Sequence, residues 1–215
     1  MNAALFALAT AALAQAPQSR VVTVRVDVTH AINSFDPDSS LGSSIDVLSR
    51  EPQLMKHILQ VWRDDGVSRN VPLMVTESHL SWSLTGPMTT IFGALWLADN
   101  VGSFFEGGGA AFYHSPIQPQ GVQNTCLGWA SWSNFVSDET YTIKGYTATY
   151  YAAHVLNLEW LQHRAGFHQM FPSSSDLADV TSYAVLRPDG NWSLMLANRD
   201  SGQAHAVQVV FDSKG

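Results

Sequence analysis

The chain has 215 residues, of which 46% are hydrophobic and only 13% charged, so it can bury a sizeable core and is not a disordered tail. Its formal net charge is -7, and lysine and arginine form no cluster along it. Nucleic acid and anionic membrane surfaces are therefore excluded as predicted partners, because both are bound through basic patches.

The N-terminal stretch MNAALFALATAALAQAPQSR is apolar but too short to span a bilayer, and it contains Ala-Gln-Ala ending at Ala16. Small residues in this position are typical of a signal-peptidase site, so we predict a signal peptide at 1–16, a secreted or periplasmic protein and no membrane span. The apolar stretch lacks a preceding lysine or arginine, which leaves open an N-terminal hydrophobic helix or a misplaced start codon. The single Cys126 cannot form an internal disulfide.

Alternation of valine with polar residues from Val22 to Val28 predicts a half-buried strand, and a polar loop rich in turn residues follows it. Helical spacing then predicts a helix over EPQLMKHILQVWRDDG. Its predicted apolar face comprises Leu54, Ile58, Leu59 and Trp62.

The next segment, VPLMVTESHLSW, is apolar enough to predict a buried strand, and it ends at Glu77. A second helix is predicted over TGPMTTIFGALWLADNVG, followed by a short strand at 110–114. The predicted buried face of that helix comprises Met88, Ile91, Phe92, Leu95 and Trp96. Helices that alternate with strands in this way favour a parallel sheet.

A long aromatic loop from 115 to about 147 is more often functional than filler at this length. The third predicted helix, TYYAAHVLNLEWLQHRAG, has Tyr151, Val155, Leu158 and Leu161 on one face. From Val180 the pattern changes to two alternating strands joined at Pro188-Asp189-Gly190-Asn191, and a third strand follows. We expect the strand at 22–28 to join the same sheet, because short strands are not stable alone.

This order of elements resembles the C-terminal part of clan A glycoside hydrolases, in particular the family 39-like retaining glycosidases. A buried strand ending Thr-Glu, a helix, a Gly-rich strand, a Trp-rich loop, a last helix and returning β-strands carry the resemblance. It implies an α/β plus β fold, with a partial (β/α)8 (TIM-type) barrel and a small antiparallel β-sandwich appendix. The implied units are a leading strand and loop at 17–50, the partial barrel at 51–166 and the sandwich at 167–215.

The resemblance implies that Glu77 is the catalytic nucleophile at the end of the seventh barrel strand. The same rim would carry substrate-binding residues, namely His79, Trp82, His114, Trp129 and Trp132. Each has a simpler structural interpretation: a solvated strand-end glutamate, surface histidines, and tryptophans that pack the loop. We predict no metal and no cofactor, because the histidines lack ligand spacing.

Retaining glycosidases use two carboxyl groups, and the clan places the second in an Asn-Glu pair, a dipeptide that this sequence lacks. An eight-stranded barrel takes about 250 residues, so most of it would be missing here, through deletion or an incomplete reading frame. Asp138 and Glu139 are candidates for the second carboxyl group, whereas Glu106 and Glu159 are predicted to be structural.

Three functions follow from this reading. The first is a retaining glycoside hydrolase homologue that acts on O-glycosidic bonds in polysaccharide, impaired by the absent acid/base half. The second is a non-catalytic carbohydrate-binding remnant. The third is a structural fragment that oligomerises through exposed barrel strands.

Overall fold

The computed structural model describes residues 20–42, 54–68, 70–80, 87, 90–114, 133–138, 140 and 142–213. The predicted signal peptide at 1–16 lies outside them. The α-helices are α1 Pro37–Ser40, α2 Leu54–Asp64, α3 Ile91–Glu106 and α4 Ala148–Val155, and α4 continues as a π-helical segment, Leu156–Trp160. No helix within these ranges is long and apolar enough to cross a membrane.

Twelve strands in the described ranges form four small sheets. They are β1 Val22–Asp27, β2 Asn33–Phe35, β3 Leu41–Gly42, β4 Met74–Val75, β5 Ala111–Tyr113, β6 Phe135–Ser137, β7 Ile143–Tyr146, β8 His168–Phe171, β9 Ser173–Ser175, β10 Val180–Leu186, β11 Trp192–Asn198 and β12 Val207–Asp212. The sheet orders are β12-β1-β9, β11-β10-β8-β2, β3-β5-β4 and β6-β7.

The first two sheets pack against each other through a small apolar cluster. Val26 of β1 lies in this cluster with Phe171 and Ala184, and the ring of Trp192 contacts both Phe171 and Phe211. Strand β1 pairs with β9 in antiparallel fashion but runs parallel to β12, with Val22 opposite Val207. The appendix is therefore not purely antiparallel, contrary to expectation. The prediction that the first strand joins the sheet of the hairpin is also wrong, because β1 shares a sheet with β12 but not with β10 and β11.

The hairpin predicted near Pro188 is confirmed. Strands β10 and β11 pair in antiparallel register from Val180 opposite Asn198 to Leu186 opposite Trp192. The Arg187 N–H donates to the Asn191 carbonyl at 2.9 Å, and Gly190 adopts a φ of 80°, a left-handed conformation that favours glycine. The turn residues, which are neighbours in the sequence, thus determine the β10-β11 hairpin.

The prediction of a partial (β/α)8 barrel is wrong. The parallel strands among the described residues that could belong to one are β3, β5 and β4, each only two or three residues long, and they form an open sheet with no closure. The segment predicted as a doubly buried strand alternates instead: Leu73 and Val75 are buried, whereas Val71 and Met74 are about half exposed. One face of this sheet is therefore exposed, whereas a barrel strand is covered on both faces.

Helix α3 is the centre of the main core, but its predicted buried face is wrong at the first turn. Met88 of that face lies outside the described residues, and Leu95 is partly buried. Trp96 is buried as expected, whereas Ile91 and Phe92 at the first turn are 71% and 53% exposed. Beyond that turn the helix is buried on most sides, including polar positions such as Asp99 and Ser103. A helix surrounded in this way has no single apolar stripe to detect.

The other two helices show the same discrepancy. In α2, Leu59 is buried but Trp62 is 44% exposed. Of the face predicted for the third helix, Leu161 is buried, whereas Tyr151, Val155 and Leu158 are all about half exposed. The buried residues of that segment are Thr149, Ala152, Leu156, Trp160 and Leu161. The π-helical turn at Leu156–Trp160 changes the rotation per residue, so an α-helical period does not relate the face of α4 to Leu161.

Gly102 in α3 lies against the ring of Tyr183 in β10, and a Cβ atom there would fall less than 3.0 Å from three ring carbons. Alanine normally stabilises a helix interior by about 1 kcal/mol relative to glycine. For Gly102→Ala we expect the opposite sign, a loss of about 2 kcal/mol in the free energy of unfolding, because overpacking exceeds the gain in propensity. Urea denaturation measures the change.

The matched control is Gly145→Ala in β7, where an added Cβ meets nothing within 4 Å. Its free energy of unfolding should stay within about 1 kcal/mol of the parent value. Equal stability of the two variants would show that Tyr183 can move away from α3.

Candidate functional site

Glu77, His79 and His114 follow the carboxyl ends of two adjacent strands. Strand β4 pairs in parallel with the central strand β5, with Val75 opposite Phe112, so the residues after each strand emerge at the same edge. Glu77 and His79 follow β4, and His114 follows β5 directly. All three side chains are buried, with 8%, 4% and 7% of their surface exposed.

The two histidine rings stack, with their centroids 5.0 Å apart, and Trp96 of α3 lies 6.3 Å from the His79 ring. His114 Nδ1 lies 3.0 Å from the Ser78 carbonyl, which can only accept, so Nδ1 carries the proton. The Leu80 N–H donates to His79 Nδ1 at 2.9 Å, which places the proton of a neutral His79 on Nε2. The structure thus brings together two predicted site residues that lie 35 positions apart in sequence.

Burial lowers the pKa of His114 to about 4, while its hydrogen bond to the Ser78 carbonyl acts in the opposite direction. The ring is therefore neutral near pH 7, with a lone pair on Nε2. This nitrogen is buried and has no hydrogen-bond partner within the described part of the chain. His114 consequently offers one acceptor to a hydroxyl group that enters the site.

Asp138 is unsuited to the role of catalytic acid that the sequence suggested. The Lys144 ammonium, 2.9 Å away, and the Thr140 hydroxyl hold the pKa of this carboxyl well below its usual range. A catalytic acid needs a raised pKa, so that a proton is present near neutral pH. Asp138 instead stabilises its own loop by accepting from the backbone N–H groups of Thr140 and Thr142.

The other three glutamates considered in the sequence lie in different surroundings. Glu106, at the end of α3, forms a 2.5 Å ion pair with Lys56 of α2 and joins the two helices. Glu159 is exposed on the π-helical segment. Glu139 lies outside the described residues, as do Trp82, Trp129 and Trp132, so their predicted roles stay predictions.

A buried carboxylate that the sequence analysis missed lies in the core, between α3 and the β10-β11 hairpin. Asp99 has no exposed surface and accepts hydrogen bonds from Tyr183 Oη and, at 2.6 Å, from Thr181 Oγ1, while Arg199 Nη1 lies 3.5 Å away. The signal was an aspartate followed by an asparagine inside the apolar run LWLADNVGSFF. A charge in such a run requires buried partners.

No group of three or more histidine, cysteine, aspartate or glutamate side chains suited to a metal ion occurs among the residues that the structure describes. Glu77, His79 and His114 accordingly do not form a metal centre there. Their arrangement offers a carboxylate, a neutral acceptor and an aromatic neighbour. These groups can bind and react with a hydroxylated organic ligand.

No protein-family model and no curated protein matches this sequence. Among solved structures, the crystal structure of SrfJ from Salmonella typhimurium is similar, with a TM-score of 0.45 and 15% sequence identity. The match covers 69% of this chain and 31% of that chain, so the chain spans about a third of the length of SrfJ. These comparisons assign the chain to no family.

Proposed function

We propose that the chain is a glycoside hydrolase homologue that acts on O-glycosidic bonds of a polysaccharide, with Glu77 as the nucleophile. The observation that carries the proposal is the position of Glu77, buried after β4 and one residue from the carbonyl that binds His114. Active sites of α/β proteins lie at the carboxyl ends of parallel strands, where this edge lies. The clan resemblance of the sequence supports the same residue.

In a retaining mechanism, a Glu77 oxygen bonds to the anomeric carbon while the bond from that carbon to the leaving oxygen breaks. A second carboxyl group, about 5 to 5.5 Å from the first, gives its proton to the leaving oxygen. It later takes a proton from the water that attacks the anomeric carbon, as the bond from that carbon to Glu77 breaks. His114 Nε2 accepts a hydrogen bond from a sugar hydroxyl and orients the ring. Asp138, Glu106 and Glu159 are not assigned to the role of this acid/base carboxyl group.

The second candidate function is carbohydrate binding without hydrolysis. Two observations favour it: the sequence contains no Asn-Glu pair, and Lys144 keeps Asp138 ionised. Glu77 would then accept hydrogen bonds from sugar hydroxyls and form no covalent bond.

The predicted association of chains through exposed strands stays a prediction.

Glu77→Gln is expected to reduce the hydrolysis of 4-nitrophenyl glycosides by about 10³-fold or more, because the amide is a poor nucleophile. The matched control is Glu159→Gln, which changes the same group on an exposed residue and should retain the parental rate. Azide should restore cleavage to Glu77→Ala and yield a glycosyl azide, because it replaces the missing nucleophile. Release of 4-nitrophenol and mass spectrometry of the product measure both effects.

The outcomes separate the two candidates. Hydrolysis by Glu77→Gln at the parental rate would show that another residue is the nucleophile. A parent protein that binds oligosaccharides saturably but cleaves none, with Glu77→Gln altering only the affinity, would establish the binding function instead.

A further inference from the structure

A cavity whose lining does not include Glu77 lies between the helices and the β-sheets. It has a volume of about 260 Å³ and is bounded by Lys56 of α2, Glu106 at the end of α3, strands β9 and β10, and Arg199. Five serine and threonine side chains line it: Ser173, Ser174, Ser175, Thr181 and Ser182. At roughly 30 Å³ per water molecule, this volume corresponds to about nine waters and suits one sugar ring.

The two cations of the cavity have N–H groups to spare. Lys56 Nζ contacts Glu106 at 2.5 Å, which engages one of its three protons. Arg199 donates to the Ala178 carbonyl at 2.5 Å, and its second contact is the 3.5 Å approach to Asp99. An arginine has five N–H donors, so the described contacts leave three of them for a ligand.

Four of the serine and threonine hydroxyl groups of the cavity offer acceptors rather than donors. Ser173 Oγ donates to the Ser182 carbonyl at 2.6 Å, and Ser182 Oγ donates to Ser173 Oγ at 3.1 Å. Ser175 Oγ donates to the Leu177 carbonyl, and Thr181 Oγ1 donates to Asp99. Their protons are thus engaged within the protein, and the remaining lone pairs can accept from a ligand hydroxyl.

The charges at this cavity are balanced. Glu106 neutralises Lys56 and Asp99 neutralises Arg199, and both carboxylates are more buried than their cations. An anion that approached either cation would also meet a carboxylate, which disfavours phosphate and sulfate. A neutral ligand whose hydroxyl groups both donate and accept fits this pattern.

We propose that this cavity binds a small neutral polyhydroxylated molecule, such as a single sugar ring. Ligand oxygens accept from Lys56 and Arg199, and ligand hydroxyls donate to the serine oxygens. Leu177 and Val180, which also line the cavity, contact the C–H groups of the ring. The proposal is independent of hydrolysis at Glu77.

The test is a titration of the full ¹⁵N-labelled chain with D-glucose, followed by amide chemical shifts. We expect saturable shifts at 173–178 with millimolar affinity, and the same shifts in Glu77→Gln. Ala178→Trp, which fills the opening from an exposed position, should weaken binding by about tenfold or more. The matched control, Ala204→Trp, places the same side chain on another exposed loop and should bind as the parent does.

Arg199→Lys keeps the positive charge but replaces the five N–H donors of the planar guanidinium with the three of an ammonium group, and it should also weaken glucose binding about tenfold. Dispersed amide spectra of each variant verify that it is folded. Absence of saturable shifts at 173–178 in the parent, or equal affinity in Ala178→Trp, would overturn the proposal. Saturable binding of sulfate without binding of glucose would overturn it too, and would identify an anion site.

Discussion

Replacing Asp99 with alanine is expected to lower the free energy of unfolding by about 4 kcal/mol. Asp99 is fully buried and accepts from Tyr183 and Thr181, with Arg199 beside it. Its removal leaves the Tyr183 hydroxyl buried without this acceptor and Arg199 without its counter-charge, and both losses add to the cavity created. Urea denaturation at pH 7, followed by circular dichroism, measures the change.

Two further variants define the cause. Tyr183→Phe removes one donor but keeps the ring, so its loss should be smaller, at about 1 to 3 kcal/mol. Asp64→Ala changes an exposed aspartate at the end of α2 and should have little effect. A loss for Asp99→Ala no larger than that for Asp64→Ala would mean that the Asp99 cluster does not stabilise the fold.

The stability of the protein should fall steeply as the pH decreases from about 6.5 to 4, and His114 should account for roughly 3 kcal/mol of this loss. Burial lowers the folded-state pKa of His114 to about 4, whereas the ordinary value is 6.5. Between these values the unfolded chain binds a proton that the folded chain does not. Acid therefore favours unfolding, by about 1.4 kcal/mol per pH unit.

The measurement is urea denaturation at half-unit steps from pH 4.5 to 7.5, for the parent and for His114→Asn. Asparagine can keep the hydrogen bond to the Ser78 carbonyl but does not titrate. Burial also lowers the pKa of His168, which contributes with the same sign, but it does so in both proteins. Parallel curves for the parent and the variant would show that the pKa of His114 is the same in the folded and the unfolded chain.

Local patterns of this sequence predicted individual elements better than their assembly. The turn residues around Gly190 specify the hairpin within a few positions, and helix α2 and strand β5 form close to the predicted bounds. Barrel closure, in contrast, depends on neighbours far away in sequence, which a strand pattern such as VPLMVTE does not contain. That pattern yielded only the two-residue strand Met74–Val75.

At the candidate site, too, the features that depend on local sequence were predicted and those that depend on distant residues were not. The positions of His79 and His114 after neighbouring strands followed from the predicted order of elements, and the structure stacks their rings. The Asp99 cluster was missed because its donors, Thr181 and Tyr183, lie more than 80 residues away on a strand whose face was not predicted. An unexplained carboxylate in an apolar helix was the one local sign of it.

The parallel pairing of β1 with β12 has a consequence for the order of events during synthesis on the ribosome. Arg25 and Asp212, which bond side by side across these strands, are 187 positions apart. Strand β1 therefore stays without its partners β9 and β12 until the residues that separate it from them have been translated. Contacts of such high contact order form slowly and leave an apolar edge open to aggregation. A nascent chain stalled before Val207 should accordingly bind chaperones that recognise exposed β-strands.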